Sequence, residues 1–205
     1  MASKQKPSRM WVLAAGAAAV LSLVLVLQAS QGGGDAKRWV IRTAGLMGYL
    51  CVFAAIVSSA YVVQLVRFFG RSFVKLHHVV SIAGLVLITL HPLVVSWSLL
   101  NHQVLMPSTQ SWYSFFAYGG SVAWYLIGAA ALIAALRKRI GKPWKLLHAL
   151  NYAAFWLATV HGWLVGTNVQ GPVVRVIFAL LALTVLWVLV QRRLADRRRK
   201  KRRRA

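Results

Sequence analysis

Six histidines occur in this chain, at positions 77, 78, 91, 102, 148 and 161, and five of them lie inside two long apolar runs. A polar side chain in hydrocarbon is costly and commonly marks function. A single membrane histidine is ordinarily accounted for by a hydrogen bond to a neighbouring helix; several at matching spacing need a further reason. His77 and His91 are fourteen residues apart. That is close to four turns of α-helix, so both rings leave nearly one face, about 21 Å apart along the axis. His148 and His161 are thirteen apart, or about 19.5 Å. Two such helices side by side make two stacked sites, each with one imidazole from each helix. A haem slotted into each site gains two axial imidazoles, ligands that suit iron. His77, His91, His148 and His161 are therefore the candidate metal ligands.

The thirteen-residue spacing is out of phase with four turns of an ideal helix. A tightened or bent segment around His148–His161, or unequal imidazole approach angles, must absorb the difference. Pro92 follows His91 and removes a helix hydrogen bond, so that helix is a candidate for bending too. His78 and His91 are also thirteen apart. Spacing alone leaves both His77 and His78 open, and the near-integral turn count favours His77. Zinc or copper is the competing metal reading, but tetrahedral sites need ligands converging on one atom. Ser81, Ala83, Gly84, Ala149, Ala153, Ala154 and Ala158 leave room for a planar ring, and equally serve plain helix packing. His102, beside Asn101, falls in a loop and reads as a solvated histidine, with a role towards an acceptor or quinone as the alternative.

The elements that must position these residues are membrane helices. Of 205 residues 59% are hydrophobic, 13% are charged, and the mean hydropathy is +0.63. Soluble domains run near 45–50% apolar and roughly 25% charged. No Lys, Arg, Asp or Glu occurs from Leu76 to Leu136, nor from Leu146 to Val174; each stretch exceeds the ~20 residues that span a bilayer. Six apolar segments can be drawn, at about 11–28, 43–66, 76–100, 117–136, 146–166 and 173–191. The expected fold is an all-α integral membrane bundle of six transmembrane helices. A basic N-terminus over 1–10 precedes the haem-binding membrane domain of 11–191, and a basic tail over 192–205 follows it. Segment 1 has a signal peptide as its alternative reading. One cysteine, Cys51, supports neither a disulfide framework nor a cysteine metal site. No Rossmann fingerprint or P-loop is present.

The net charge of +23 comes from 25 Lys and Arg against Asp35 and Asp196. Such a balance can signal nucleic acid, but cationic cytoplasmic loops explain it more simply, and no nucleic-acid partner is expected. In a six-helix layout 21 of the 25 cations fall on one side, leaving Lys37, Arg38, Arg42 and Arg175 on the other. The excess of cations on the inner side then puts both termini in the cytoplasm. The tail from Arg197 to Arg204 is expected to be disordered and to lie against anionic lipid. The expected location is the cell membrane as a multi-pass protein, the inner membrane of a bacterium or archaeon.

The stretches Arg71-Ser-Phe-Val-Lys-Leu-His77 through Leu90-His91-Pro92, and Trp144-Lys-Leu-Leu-His148 through Val160-His161-Gly-Trp163, resemble the ferric reductase-like transmembrane family. That family includes the membrane domains of ferric reductases and NADPH oxidases, and the haem-binding membrane subunit of the periplasmic methionine sulfoxide reductase system. The resemblance implies bis-histidine b haems and electron flow across the membrane. Oxidase-type members space their pairs as His77/His91 and His148/His161 are spaced, whereas size and the region from Trp144 to Trp163 look more similar to the sulfoxide-reductase partner. No flavin- or NAD-binding domain follows segment 6, so the donor is expected to be a separate flavin reductase or a quinone. Superoxide-producing members carry a second histidine where this chain has Val95, which argues against oxygen reduction.

The function expected is transmembrane electron transfer, within a reductase, to an outer-side acceptor protein or metal. An inner haem would sit on His77 and His148 and an outer haem on His91 and His161, with FMN or quinone as a further candidate cofactor. Arg71, Lys75, Lys142 and Lys145 are candidates to pair inner haem propionates, and Arg42 to pair outer ones, beside their plain role in setting topology. Phe155 or Trp156 is placed to lie between the haems, where core packing is the competing role. The rival classes are a single-haem donor subunit, a transporter using histidine proton relays, and a structural subunit binding chlorophyll or nothing.

Overall fold

A computed structural model of the chain describes residues 35–69 and 73–202, the side chains at 199–201 excepted, together with eight of the residues from 16 to 29. All regular structure among the described residues is helical. Three helices are long and apolar enough to cross a membrane: α1 (Ala36–Ala60), α3 (Phe73–Leu99) and α9 (Pro172–Arg202), the last over its first 27 residues. Between them run α2 (Val62–Phe69), α4 (Trp112–Ala117), α5 (Gly119–Ala135), α6 (Arg137–Ile140), α7 (Trp144–His148) and α8 (Leu150–Val165). Most of the segment expected at 11–28 lies outside the described residues; of those described there, Val24 is buried in the main core.

The chain packs as two antiparallel hairpins. α1 lies along α3, and α5 lies along α8. Small residues let α1 and α3 approach: a methyl group added at Gly84 would stand 3.0 Å from the Cys51 Cβ, and one at Gly48 would strike Ile88. Such close backbone approach is how helices associate where lipid removes any hydrophobic drive between them. An aromatic stack fills mid-height. Tyr49 lies 4.7 Å from both Phe155 and Phe178, ring centroid to centroid, and is nearly parallel to each. The Thr159 hydroxyl donates to the Phe155 carbonyl at 2.8 Å, so the Tyr49 hydroxyl, 2.9 Å away, is the donor to Thr159. Trp124 Nε1 donates to Thr89 Oγ1 at 3.1 Å and ties one hairpin to the other.

Several boundaries differ from those expected. α1 begins at Ala36 rather than near 43, because the Asp35 carboxylate accepts the Arg38 N–H at 2.9 Å and caps it. A helix passes through Lys37, Arg38 and Arg42 without needing them in hydrocarbon. α3 continues as helix through Pro92. The expected disorder of the tail is corrected: α9 runs unbroken to Arg202. Arg, Lys, Ala and Leu are strong helix formers, and extending a formed helix carries no nucleation cost. Cations also suit a helix C-terminus.

α3 ends in a Schellman motif, with Asn101 N–H bonded to the Ser96 carbonyl and Leu100 N–H to the Trp97 carbonyl. The motif needs a left-handed residue, and the chain puts Leu100 there, with φ 49° and 86% exposed. A left-handed L-residue costs about 1–2 kcal/mol. Leu100→Gly is expected to stabilise the protein by about 0.5–1 kcal/mol after the added chain entropy of glycine is subtracted, read as a raised unfolding midpoint in detergent.

Candidate haem site

Each of the four spaced histidines makes the same bond. Nδ1 lies 3.1 Å from the Ala55 carbonyl in His77 and 2.9 Å from the Ile41 carbonyl in His91. It lies 3.1 Å from the Ala130 carbonyl in His148 and 2.7 Å from the Ala117 carbonyl in His161. A carbonyl only accepts, so Nδ1 carries the proton in all four. The neutral ring then keeps its lone pair on Nε2. This is the arrangement in which metal-bound histidines are held, the outer bond fixing both tautomer and ring plane.

The acceptors repeat the spacing of the donors. Ile41 and Ala55 are fourteen residues apart, as are His77 and His91; Ala117 and Ala130 are thirteen apart, as are His148 and His161. In an antiparallel pair both helices advance by the same rise, so equal spacing brings both donor–acceptor pairs level at once. Local tightening makes up part of the out-of-phase thirteen. Beside His148 the helix is interrupted at Ala149, whose N–H bonds the Leu146 carbonyl while Tyr152 N–H bonds the Ala149 carbonyl, both three residues back. Such three-residue turns advance the side-chain direction faster than an α-helix does. The partner strand of helix is likewise interrupted at Tyr118, next to Ala117, where Ser121 N–H bonds the Tyr118 carbonyl.

The two hairpins bring their rings together. His91 and His161 stand with centroids 6.4 Å apart and planes at 77°. That separation leaves room for one metal ion between two imidazoles bound through nitrogen at about 2.0 Å. His77 and His148 lie on the same level of the two hairpins, as their carbonyl partners Ala55 and Ala130 do. The histidine-bearing stretches, α3 and α7 with α8, do not themselves pack closely; each packs on its own hairpin partner. Glycines floor the outer pair. A methyl group at Gly45 would come within 2.9 Å of His91 Nδ1, and one at Gly120 within 2.9 Å of His161 Nε2.

The other expected residues are distributed more widely. His78 is exposed and has its ring 5.9 Å from that of His77, without a carbonyl partner of its own among the described residues. Arg42 is half-buried and follows Ile41, the acceptor for His91; Lys75 and Lys145 are exposed, two and three residues before His77 and His148. Arg71 lies outside the described residues. Phe155 is fully buried in the aromatic stack at mid-height between the two histidine layers. Of the small residues, Gly84 and Ala154 are buried in helix packing while Ala83 and Ala153 are exposed. His102 is exposed and lies 3.0 Å from the buried Ser96 hydroxyl.

Sequence reasoning missed the four carbonyl acceptors, the two glycines and Arg192. Carbonyls carry no sequence signature. Arg192 looked like the first residue of a tail, yet its guanidinium donates to the Ser59 hydroxyl at 3.1 Å, one turn beyond Ala55.

No group of three or more His, Cys, Asp or Glu side chains gathers among the described residues, which leaves the tetrahedral zinc or copper arrangement without a ligand set there. The donor set of paired imidazoles with Nε2 lone pairs, and the scarce packing between α3 and α8, are of a kind that would hold a flat metal-bearing group. No protein-family profile, curated protein or solved structure matches this chain.

Proposed function

We propose that this chain is a six-helix subunit of the cell membrane, with both termini cytoplasmic, that carries electrons through two b-type haems. His77 and His148 would hold the inner haem and His91 and His161 the outer one. The observation that carries the reading is the 6.4 Å, 77° pairing of His91 and His161, each with Nδ1 tied to a carbonyl. The helical stretches 112–135 and 144–165, interrupted only at Tyr118 and Ala149, each reach the ~20 residues of a membrane span, which with the three long helices supports five of the six spans; most of the first segment lies outside the described residues. Haem held by these two imidazole pairs would supply one-electron transfer.

The chain's own residues do the positioning. The Nδ1–H bonds hold each ring plane and make Nε2 a better donor. The glycines at 45 and 120 let two rings lie flat against the neighbouring helix. The layering by fourteen and thirteen residues sets the sites about 20 Å apart along the helix axes. The resemblance to ferric reductase-like membrane domains points the same way. A separate flavin reductase or a quinone would supply electrons from inside, and an outer protein or metal would receive them.

The test is a reduced-minus-oxidised absorbance spectrum of the purified protein, with haem counted per chain as the pyridine haemochrome. Two b-type haems per chain are expected. One would replace the diheme wire with a single-haem donor subunit. None, in protein made with ample haem supply, would overturn the reading in favour of a transport or structural subunit.

A further inference from the structure

Arg192 occupies a position that the topology role of a terminal cation does not explain. Its exposed guanidinium donates to the Ser59 hydroxyl at 3.1 Å and lies near the Tyr152 hydroxyl, on the His77 side of the bundle. Ser59 is one turn beyond Ala55, the carbonyl partner of His77, and Tyr152 is one turn beyond His148. Arg192 from α9 therefore lies one turn beyond the inner histidine layer, between Ser59 of one hairpin and Tyr152 of the other. It has no carboxylate partner among the described residues. Asp35 caps α1 at the opposite end, and Asp196, one turn further along α9, forms no ion pair with it.

The Tyr152 hydroxyl makes the second observation. It is buried and forms no hydrogen bond of good geometry among the described residues. Arg192 can only donate to it, and a buried O–H that lacks an acceptor is costly, so an acceptor is expected beside it. An arginine fork and a tyrosine hydroxyl together present N–H and O–H donors and a positive charge at one place. That donor set is suited to a carboxylate, which arginine binds through paired hydrogen bonds.

We propose that Arg192, with Tyr152 and anchored by Ser59, clamps a carboxylate of the group held between His77 and His148. This rests on the diheme reading, in which that carboxylate is a propionate of the inner haem. Arg192 is thus a positioning residue with an electrostatic consequence. A fixed cation near a haem disfavours the ferric form, which carries one more positive charge than the ferrous, and so raises that haem's reduction potential.

The test is a redox titration of the full-length protein with Arg192→Gln, Arg192→Lys and Arg197→Gln. Arg192→Gln is expected to move one of the two midpoints to more negative potential and leave the other in place. Arg192→Lys recovers most of the shift, and Arg197→Gln, further along α9, moves neither. Tyr152→Phe gives a smaller shift of the same haem and reads the clamp if Arg192→Gln does not accumulate. Two haems per chain with both midpoints unmoved, or moved equally, overturns the clamp while leaving the diheme reading intact. If the midpoints stay and Arg192→Gln instead releases bound phospholipid, the oxyanion is a lipid phosphate and the proposal fails. A protein without haem removes both.

Discussion

Replacing His91 or His161 with alanine is expected to leave one b-type haem per chain in place of two. Replacing His77 or His148 should remove the other haem, and His78→Ala should remove neither. Each haem on this reading has one ligand from each hairpin, so either half of a pair is indispensable to its own site and irrelevant to the other. Loss of an outer bond to a ligating histidine weakens metal binding about 10–100-fold, and loss of the ligand itself exceeds that. The distinction between His77 and His78 rests on the carbonyl bond, which His77 makes to Ala55 and His78 does not make. The pyridine haemochrome count reads the result directly. Loss of both haems from His91→Ala, with the protein still folded and monodisperse, would mean that the layers are not independent. Retention of both would remove His91 from the ligand set.

The glycine substitutions carry the second large effect. In Gly120→Ala the new methyl would stand 2.9–3.0 Å from His161 Nε2, Cδ2 and Cε1, and in Gly45→Ala it would stand 2.9 Å from His91 Nδ1. Either ring must then leave the position it holds 6.4 Å from its partner. The outer haem is expected to be lost or to become five-coordinate, while the inner one remains. Gly128→Ala is the control, because a methyl there meets nothing within 4 Å on the same helix as Gly120. Alanine is the better helix former by about 1 kcal/mol at any of these positions, so a defect confined to 45 and 120 comes from the site and not from the helix. Absorbance and electron paramagnetic resonance spectra distinguish the two haems. Unchanged spectra in Gly120→Ala would show that the ring does not need the glycine.

The membrane character and the histidine pairs were legible because both are written in side chains. Charge-free runs report hydrocarbon, and His77 with His91 reports a helical face. The conflict raised by His148 and His161 was legible too, since thirteen residues do not close four turns. Its resolution was not, because the interruptions at Ala149 and Tyr118 follow from packing rather than from any helix-breaking residue. Likewise α1 starts at Ala36, whereas an apolar run starts only after Arg42; hydropathy marks the slab and Asp35 marks the helix. The largest miss was the tail. A run of arginines reads as a disordered tail against lipid, but α9 arrives already formed, and continuing it sets the exposed Arg192 against Ser59. The carbonyls of Ile41, Ala55, Ala117 and Ala130 could not be foreseen at all, since every residue has one.

Those four carbonyls bear on the order of assembly. Both imidazoles of each hairpin are oriented by that hairpin's own second helix, so neither half needs the other, or any cofactor, to set its rings. Insertion can deliver two prepared jaws, with α3 and α8 facing each other and little direct contact between them. Whatever closes between the jaws then does so late, as a rivet joining finished parts, and a shortage of it would leave a protein correctly threaded through the bilayer but loose along a single seam.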